Sequence, residues 1–219
     1  GRRGGDEEEG KRTMKREALV VACTNDLAGQ TRGKAFPDVE FEKRLRRGVG
    51  WTPTNALITC FNVLGDSPFG ALGDLVLIPD PETRVRVAGR EPDDDEQFVM
   101  GDIRHTDGAA WDFCTRSLLK GALDRLHALA GARLYGAFEH EFQFRDAPEG
   151  QAYSYAGFRQ KRAFAETLTA AMRDAGITPD TFMKEFGSGQ YEVTMKPASG
   201  VRIADNSVIL KELVGIAAE

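Results

Sequence analysis

The chain has 219 residues, 41% of them hydrophobic, and a formal net charge of −5. That length supports one sizeable core or two modest ones, and interleaved acidic and basic residues exclude the electrostatic footprint of a nucleic-acid binder. No apolar run approaches membrane-spanning length and no signal-peptide pattern opens the sequence, so no membrane partner is expected.

Residues 1–16 are glycine-rich and heavily charged, which reads as a disordered tail. Ala18 to Thr24 is a predicted buried strand. Asp26 to Gln30 forms a turn, and Thr31 to Phe36 pairs back as a second strand. Asp38 is placed to cap a short helix ending near Arg47, with Gly48 as its stop. Asn55 to Phe61, Asp74 to Ile78 and Thr83 to Val87 are further predicted strands. Residues 17–96 thus make a small mixed domain, bounded by the acidic, proline-containing stretch Glu91 to Glu96.

Residues 97–219 alternate strands with helices, the pattern of an α+β domain. Gln97 to Ile103 is a predicted strand. Thr115 to Ala130 is an amphipathic helix with Leu118, Leu119, Ala122, Leu126 and Leu129 inward, ended by Gly131. A run of strand formers spans Ala132 to Phe144, and a second helix spans Phe158 to Ala175. A hairpin surrounds Gly187-Ser188-Gly189, and a last helix runs from Arg202 to Ala218. The cysteines, Cys23, Cys60 and Cys114, lack zinc-ligand or redox-motif spacing and read as buried, reduced thiols of a cytoplasmic protein.

Chemistry concentrates in two stretches. In Phe138-Glu139-His140-Glu141-Phe142, strand alternation points Glu139 and Glu141 to one face and the other three residues to the opposite face. In Glu185-Phe186-Gly187-Ser188-Gly189-Gln190-Tyr191-Glu192, a hairpin brings Glu185 near Glu192. Four converging carboxylates repel one another unless a proton or cation compensates them, and oxygen-only ligation suits Mg²⁺ or Mn²⁺. On periodicity alone, a solvated sheet face is the commoner reading of such glutamates.

These two motifs, in this order and at this interval, resemble the metal-binding motifs of the glutamine synthetase family. The resemblance implies a β-grasp amino-terminal domain followed by the first part of the catalytic α+β domain. It implies Glu141, Glu185 and Glu192 on one Mg²⁺ or Mn²⁺ and Glu139 on a second ion bridging the phosphates of ATP, the co-substrate. It further implies glutamate joined to ammonia or a small amine through γ-glutamyl phosphate, in a ring-shaped homo-oligomer. Asp180, five residues before Glu185, stands where the family has a nucleotide-side glutamate. Asp66 is the nearest acidic residue to the loop from which the family presents a catalytic acid. Two departures accompany the match. Phe182-Met183-Lys184 replaces a histidine-rich run, and the family's later motifs do not occur, so the catalytic domain reads as truncated at its carboxyl end. The alternative is a non-catalytic subunit that assembles with a full-length relative.

Overall fold

The computed structural model describes residues 16–66, 68–69, 73–89, 94–145 and 147–218. The expected disordered tail, apart from residue 16, lies outside them, as do parts of the 65–70 loop and of the 91–96 boundary. Among the described residues, no helix is long and apolar enough to cross a membrane.

The chain opens with β1 (Leu19–Asn25) and β2 (Thr31–Pro37), an antiparallel pair in register from Leu19↔Pro37 to Asn25↔Thr31. A 3-10 turn at Asp38–Glu40 leads into α1 (Phe41–Arg47). Asp38 does not cap it; its carboxylate pairs with Arg84 at 2.7 Å. Gly48 stops the helix at φ 68°, as expected of a residue without Cβ. Next come β3 (Val49–Trp51), β4 (Leu75–Pro79), β5 (Val85–Val87) and β6 (Glu96–His105). The strand predicted over Asn55 to Phe61 is instead a 3-10 helix at Pro53–Leu57. Pro53 sets helical φ at its start and has no N–H to give a ladder.

The first sheet has the order β2-β1-β6-β4-β3, with β5 also paired to β6. β6 is therefore a central strand of this sheet, parallel to β1 and antiparallel to β4 and β5. It does not open the second domain, so the chain leaves the first sheet only after His105. Both faces of the sheet are covered, which explains the continuous apolar runs of β1 and β6. Val20, Ala22, Val99 and Ile103 pack towards α1 and β3, with Phe41 and Trp51. Cys23, Phe98 and Met100 face the other way, into a core shared with the second half of the chain.

That half contains α2 (Thr115–Ala130), β7 (Tyr135–Gly136), β8 (His140–Gln143), α3 (Tyr155–Gln160) and α4 (Arg162–Asp174). It ends with β9 (Pro179–Lys184), β10 (Gln190–Met195), β11 (Ala198–Ser199) and α5 (Arg202–Ala218). Leu168 and Met172 of α4, Val193 of β10, and Ile209, Leu210 and Leu213 of α5 complete the shared core. The architecture is α+β. The helix expected over Phe158 to Ala175 divides at Lys161 into α3 and α4.

α2 has the predicted ends but not the predicted inner face. Leu118, Leu126 and Leu129 are exposed, Leu129 at 82%, while Arg116 is buried. The described elements cover only its amino-terminal half, where Leu119 and Leu123 are half-buried and Arg116 enters a buried ionic junction. Arg116 binds Asp205 of α5 through two nitrogens at 2.8 and 2.9 Å, Asp102 of β6 at 2.9 Å and Asp80 at 2.7 Å. Lys120 adds a 2.6 Å bond to Asp102. Burial opposes the guanidinium's charge, but hydrogen bonds and attraction from Asp205 and Asp80, and the charge of Asp102, raise its pKa well above the ordinary value. This junction ties the first sheet to α2 and α5.

Candidate functional site

The two motifs meet in a second sheet of order β8-β10-β9, antiparallel throughout. Glu141 lies directly across from Glu192, and Phe142 across from Tyr191. The backbone N–H of Glu185 donates to Gln190 O at 2.9 Å, which closes the β9–β10 hairpin. Alternation then places Glu141, Glu185, Gln190 and Glu192 on one face and Phe142, Phe182, Lys184 and Tyr191 on the other. The second face is an aromatic cluster. Tyr191 is fully buried and stacks on Phe182 with centroids 5.5 Å apart, and Phe142 meets Phe164 edge-on at 5.6 Å. Burial of those rings sets the register, and the register turns the carboxylates to the opposite face, where Glu141 is exposed, Glu192 half-buried and Glu185 buried at 7%.

The expected strand over Ala132 to Phe144 is shorter than predicted. Only Tyr135–Gly136 and His140–Gln143 are extended within a sheet, so Glu139 sits one residue before β8. Its carboxylate nevertheless acts on the others. The Glu192 carboxyl is held above the usual range by burial, then by the charges of Glu139, Glu185 and Glu141, then by a hydrogen bond with Glu185. The expected hairpin is present, with Glu185 at the end of one arm and Glu192 in the other.

Neutral donors orient two of the carboxylates. Tyr153 Oη donates to Glu185 Oε1 at 2.8 Å, and Phe186 N–H donates to Glu185 Oε2 at 3.2 Å. The bond to Glu185, then burial, then the charges of Glu185, Glu192 and Glu141 raise the Tyr153 hydroxyl above its ordinary pKa. Gln190 Nε2 donates to Glu141 Oε2 at 2.5 Å, while its Oε1 accepts from Gly187 N–H at 2.7 Å. Among the described residues, Glu139, Glu141, Glu185 and Glu192 form no ion pair with Lys, Arg or His.

Two backbone positions are demanding. Gly189 has φ 62°, and a Cβ there would lie 2.2 Å from Phe144 O, so only glycine fits this turn. Tyr153 has φ 55°, unusual for an aromatic residue, and its N–H donates to Lys184 O at 2.8 Å.

The remaining candidates make other contacts. Asp180, near the start of β9 where the register with β10 shifts, forms an exposed 2.5 Å ion pair with Lys196. Asp66 is exposed in the long connection between β3 and β4. His140 turns away from the glutamates to Ser207 of α5, 2.9 Å from its hydroxyl, and burial followed by the Lys211 charge lowers its pKa. Sequence reasoning missed the roles of Gln190 and Lys184. Gln190 stands inside the second motif, between a turn glycine and a buried tyrosine, and that position was the available signal.

The donor chemistry fits a hard divalent cation: four carboxylates that, among the described residues, form no ion pair with Lys, Arg or His. Among the described residues, no group of three or more His, Cys, Asp or Glu side chains is arranged to hold an ion. The donor set fits; the closed ligand geometry is not formed by these side-chain positions.

Comparison with known proteins accords with this layout. The glutamine synthetase N-terminal domain model matches residues 8–111, and the glutamine synthetase catalytic domain model matches residues 112–219. The chain is 28% identical over 180 residues to a glutamate–isopropylamine ligase from Pseudomonas sp, covering 74% of this chain and 38% of that protein. It is 26% identical over 224 residues to a glutamine synthetase from Pyrococcus horikoshii, covering 98% of this chain and 46% of the relative. A crystal structure described as a novel glutamine synthase homolog superposes with a TM-score of 0.86 at 38% identity, over 92% of this chain and 49% of that one. The chain thus spans about half the length or less of the relatives it matches. With the two family models meeting at residues 111 and 112 and together running from 8 to 219, this chain belongs to the glutamine synthetase family.

Proposed function

We propose that this chain carries part of an ATP-dependent ligase that joins glutamate, through its γ-carboxylate, to ammonia or a small amine. The observation that carries the reading is the acidic sheet face: Glu141 directly across from Glu192, with Glu139 and Glu185 acting on the latter, and no ion pair to any of the four among the described residues. Glu139, Glu141, Glu185 and Glu192 are the groups that would hold Mg²⁺ or Mn²⁺. Such an ion, when bound, supplies charge neutralisation and alignment for phosphoryl transfer from ATP to the glutamate carboxylate. The chain's own contribution is orientation. Tyr153 and the Phe186 amide hold Glu185, Gln190 holds Glu141, and the aromatic face beneath keeps the strands in register. An amine then displaces phosphate from γ-glutamyl phosphate.

Asp180 is proposed on the nucleotide side and Asp66 as an acid presented by the first domain, both by family likeness. A ring-shaped homo-oligomer belongs to the same reading. It is supported by exposed apolar side chains on α2 and on the 58–64 connection, where Leu129, Phe61 and Val63 are 82%, 84% and 61% accessible. The relatives named for isopropylamine and for glutamine leave the amine to experiment.

Calorimetric titration of Mn²⁺ tests the assignment. Glu185→Gln and Glu192→Gln should each weaken binding at least about tenfold, since each removes a charged ligand. Wild-type titration curves in both variants would overturn it.

A further inference from the structure

The β9–β10 turn contains a charge that the proposed chemistry does not use. Lys184 is 1% exposed, one residue before Glu185, on the aromatic side of the sheet. It forms no ion pair among the described residues. Its ammonium donates instead to two backbone carbonyls of the turn, Glu185 O at 2.5 Å and Gly187 O at 2.7 Å, and lies 5.6 Å from the centre of the Tyr191 ring. A buried ammonium is costly, and a methionine would fill similar space without desolvating a charge. The stem is closely enclosed as well: a Cβ on Gly157 would lie 2.8 Å from Lys184 Cγ.

The contacts lead from this ammonium to the acidic face. Within one peptide unit, C=O and N–H point in opposite directions. Drawing Glu185 O inward to Lys184 therefore turns the Phe186 N–H outward, where it binds the Glu185 carboxylate at 3.2 Å. Gly187 O accepts both from Lys184 and from the Gln190 N–H, the latter at 3.1 Å. Gly187 N–H in turn binds Gln190 Oε1, and Gln190 Nε2 binds Glu141. The Lys184 carbonyl also holds Tyr153, whose hydroxyl binds Glu185.

We propose that Lys184 is a positioning residue: its buried ammonium folds the β9–β10 turn so that Glu185, and through Gln190 also Glu141, are oriented towards a divalent cation. The inference rests on the metal reading above. Partners that orient ligands in this way typically change metal affinity about 10–100-fold when removed.

The test compares wild type with Lys184→Met, Gln190→Leu and Glu192→Gln, reading Mn²⁺ affinity by calorimetry and amide exchange at Phe186 and Gly187 by NMR. Lys184→Met should lose about 10–100-fold in Mn²⁺ affinity and exchange faster at both amides while keeping its far-UV circular dichroism. Wild-type affinity and exchange in Lys184→Met, beside weakened binding in Glu192→Gln, would overturn the proposal. If Glu192→Gln also binds normally, the metal reading itself fails; amide exchange then decides the turn-folding role, and unchanged exchange in Lys184→Met overturns it. Should Lys184→Met not fold, Gln190→Leu decides, because it keeps the ammonium and removes the link to Glu141. Reduced affinity supports the chain of contacts, and wild-type affinity overturns it.

Discussion

Two acidic clusters in this molecule use similar residues to opposite ends. At the junction of the first sheet with α2 and α5, Asp80, Asp102 and Asp205 surround Arg116, with Lys120 on Asp102. On the β8–β10–β9 face, Glu139, Glu141, Glu185 and Glu192 act on one another without a side-chain cation among the described residues. The first cluster carries its own counter-charge and holds the architecture together. The second spends neutral donors, Tyr153 and Gln190, on orienting carboxylates whose repulsion is left in place. A cluster neutralised from within is a fastener, and one left charged is suited to receive a cation.

The comparison is open to attack first at Arg116. Arg116→Ala leaves three aspartates, two of them buried, without their shared partner and should cost about 3–5 kcal/mol in urea denaturation. A loss below about 1 kcal/mol would show the junction to be effectively solvated. Asp102→Asn removes charge-assisted bonds from Arg116 and Lys120 and should cost about 1.5–3 kcal/mol by the same measurement.

The smallest effect has the opposite sign. In divalent-free buffer at pH 7, Glu192→Gln should stabilise the protein by about 0.2–1 kcal/mol, because it removes a like charge directly across from Glu141. The pH dependences differ in the same way. For Asp102, burial disfavours the charge, but Lys120 and Arg116 prevail and lower its pKa. Its contribution is therefore present above the unfolded value of 3.8 and is lost as pH falls through the lower folded value. Glu192 has a raised pKa, so its repulsion is absent at low pH and grows as pH rises from 4.5 through the folded value. The gain from Glu192→Gln should accordingly vanish in thermal melts near pH 3. A gain that persists there would place the repulsion elsewhere.

Much of the acidic site is legible in the chain because its logic is local. Glu141 beside Phe142 and Glu192 beside Tyr191 alternate charge with aromatic rings, which is enough to place the carboxylates on one side of a strand. Gly189 marks a turn that only glycine can make. Gln190 and Lys184 are another matter: their roles depend on contacts made across the closed turn, and a lysine beside a glutamate in sequence reads as a surface pair. α2 shows the same division. Its apolar spacing and Gly131 define a helix from Thr115 to Ala130, yet Leu129 is 82% exposed while Arg116 is buried. Periodicity specifies a stripe but not what lies against it.

Strand alternation, turn glycines and helix periodicity follow from backbone sterics over a few residues, so the sequence by itself determined most of the longer elements, the α+β class and the pair of glutamate motifs, but not the 3-10 helix at Pro53–Leu57 or the break between α3 and α4. Tertiary structure alone decided that β6 completes the first sheet, that both halves share a core, and that one aspartate cluster gathers around Arg116 and Lys120. It also decided that the Lys184 ammonium binds carbonyls of the turn rather than a carboxylate. Each of those outcomes turns on which distant group reaches a buried charge or an open sheet edge, and that pairing is settled only when the whole chain packs.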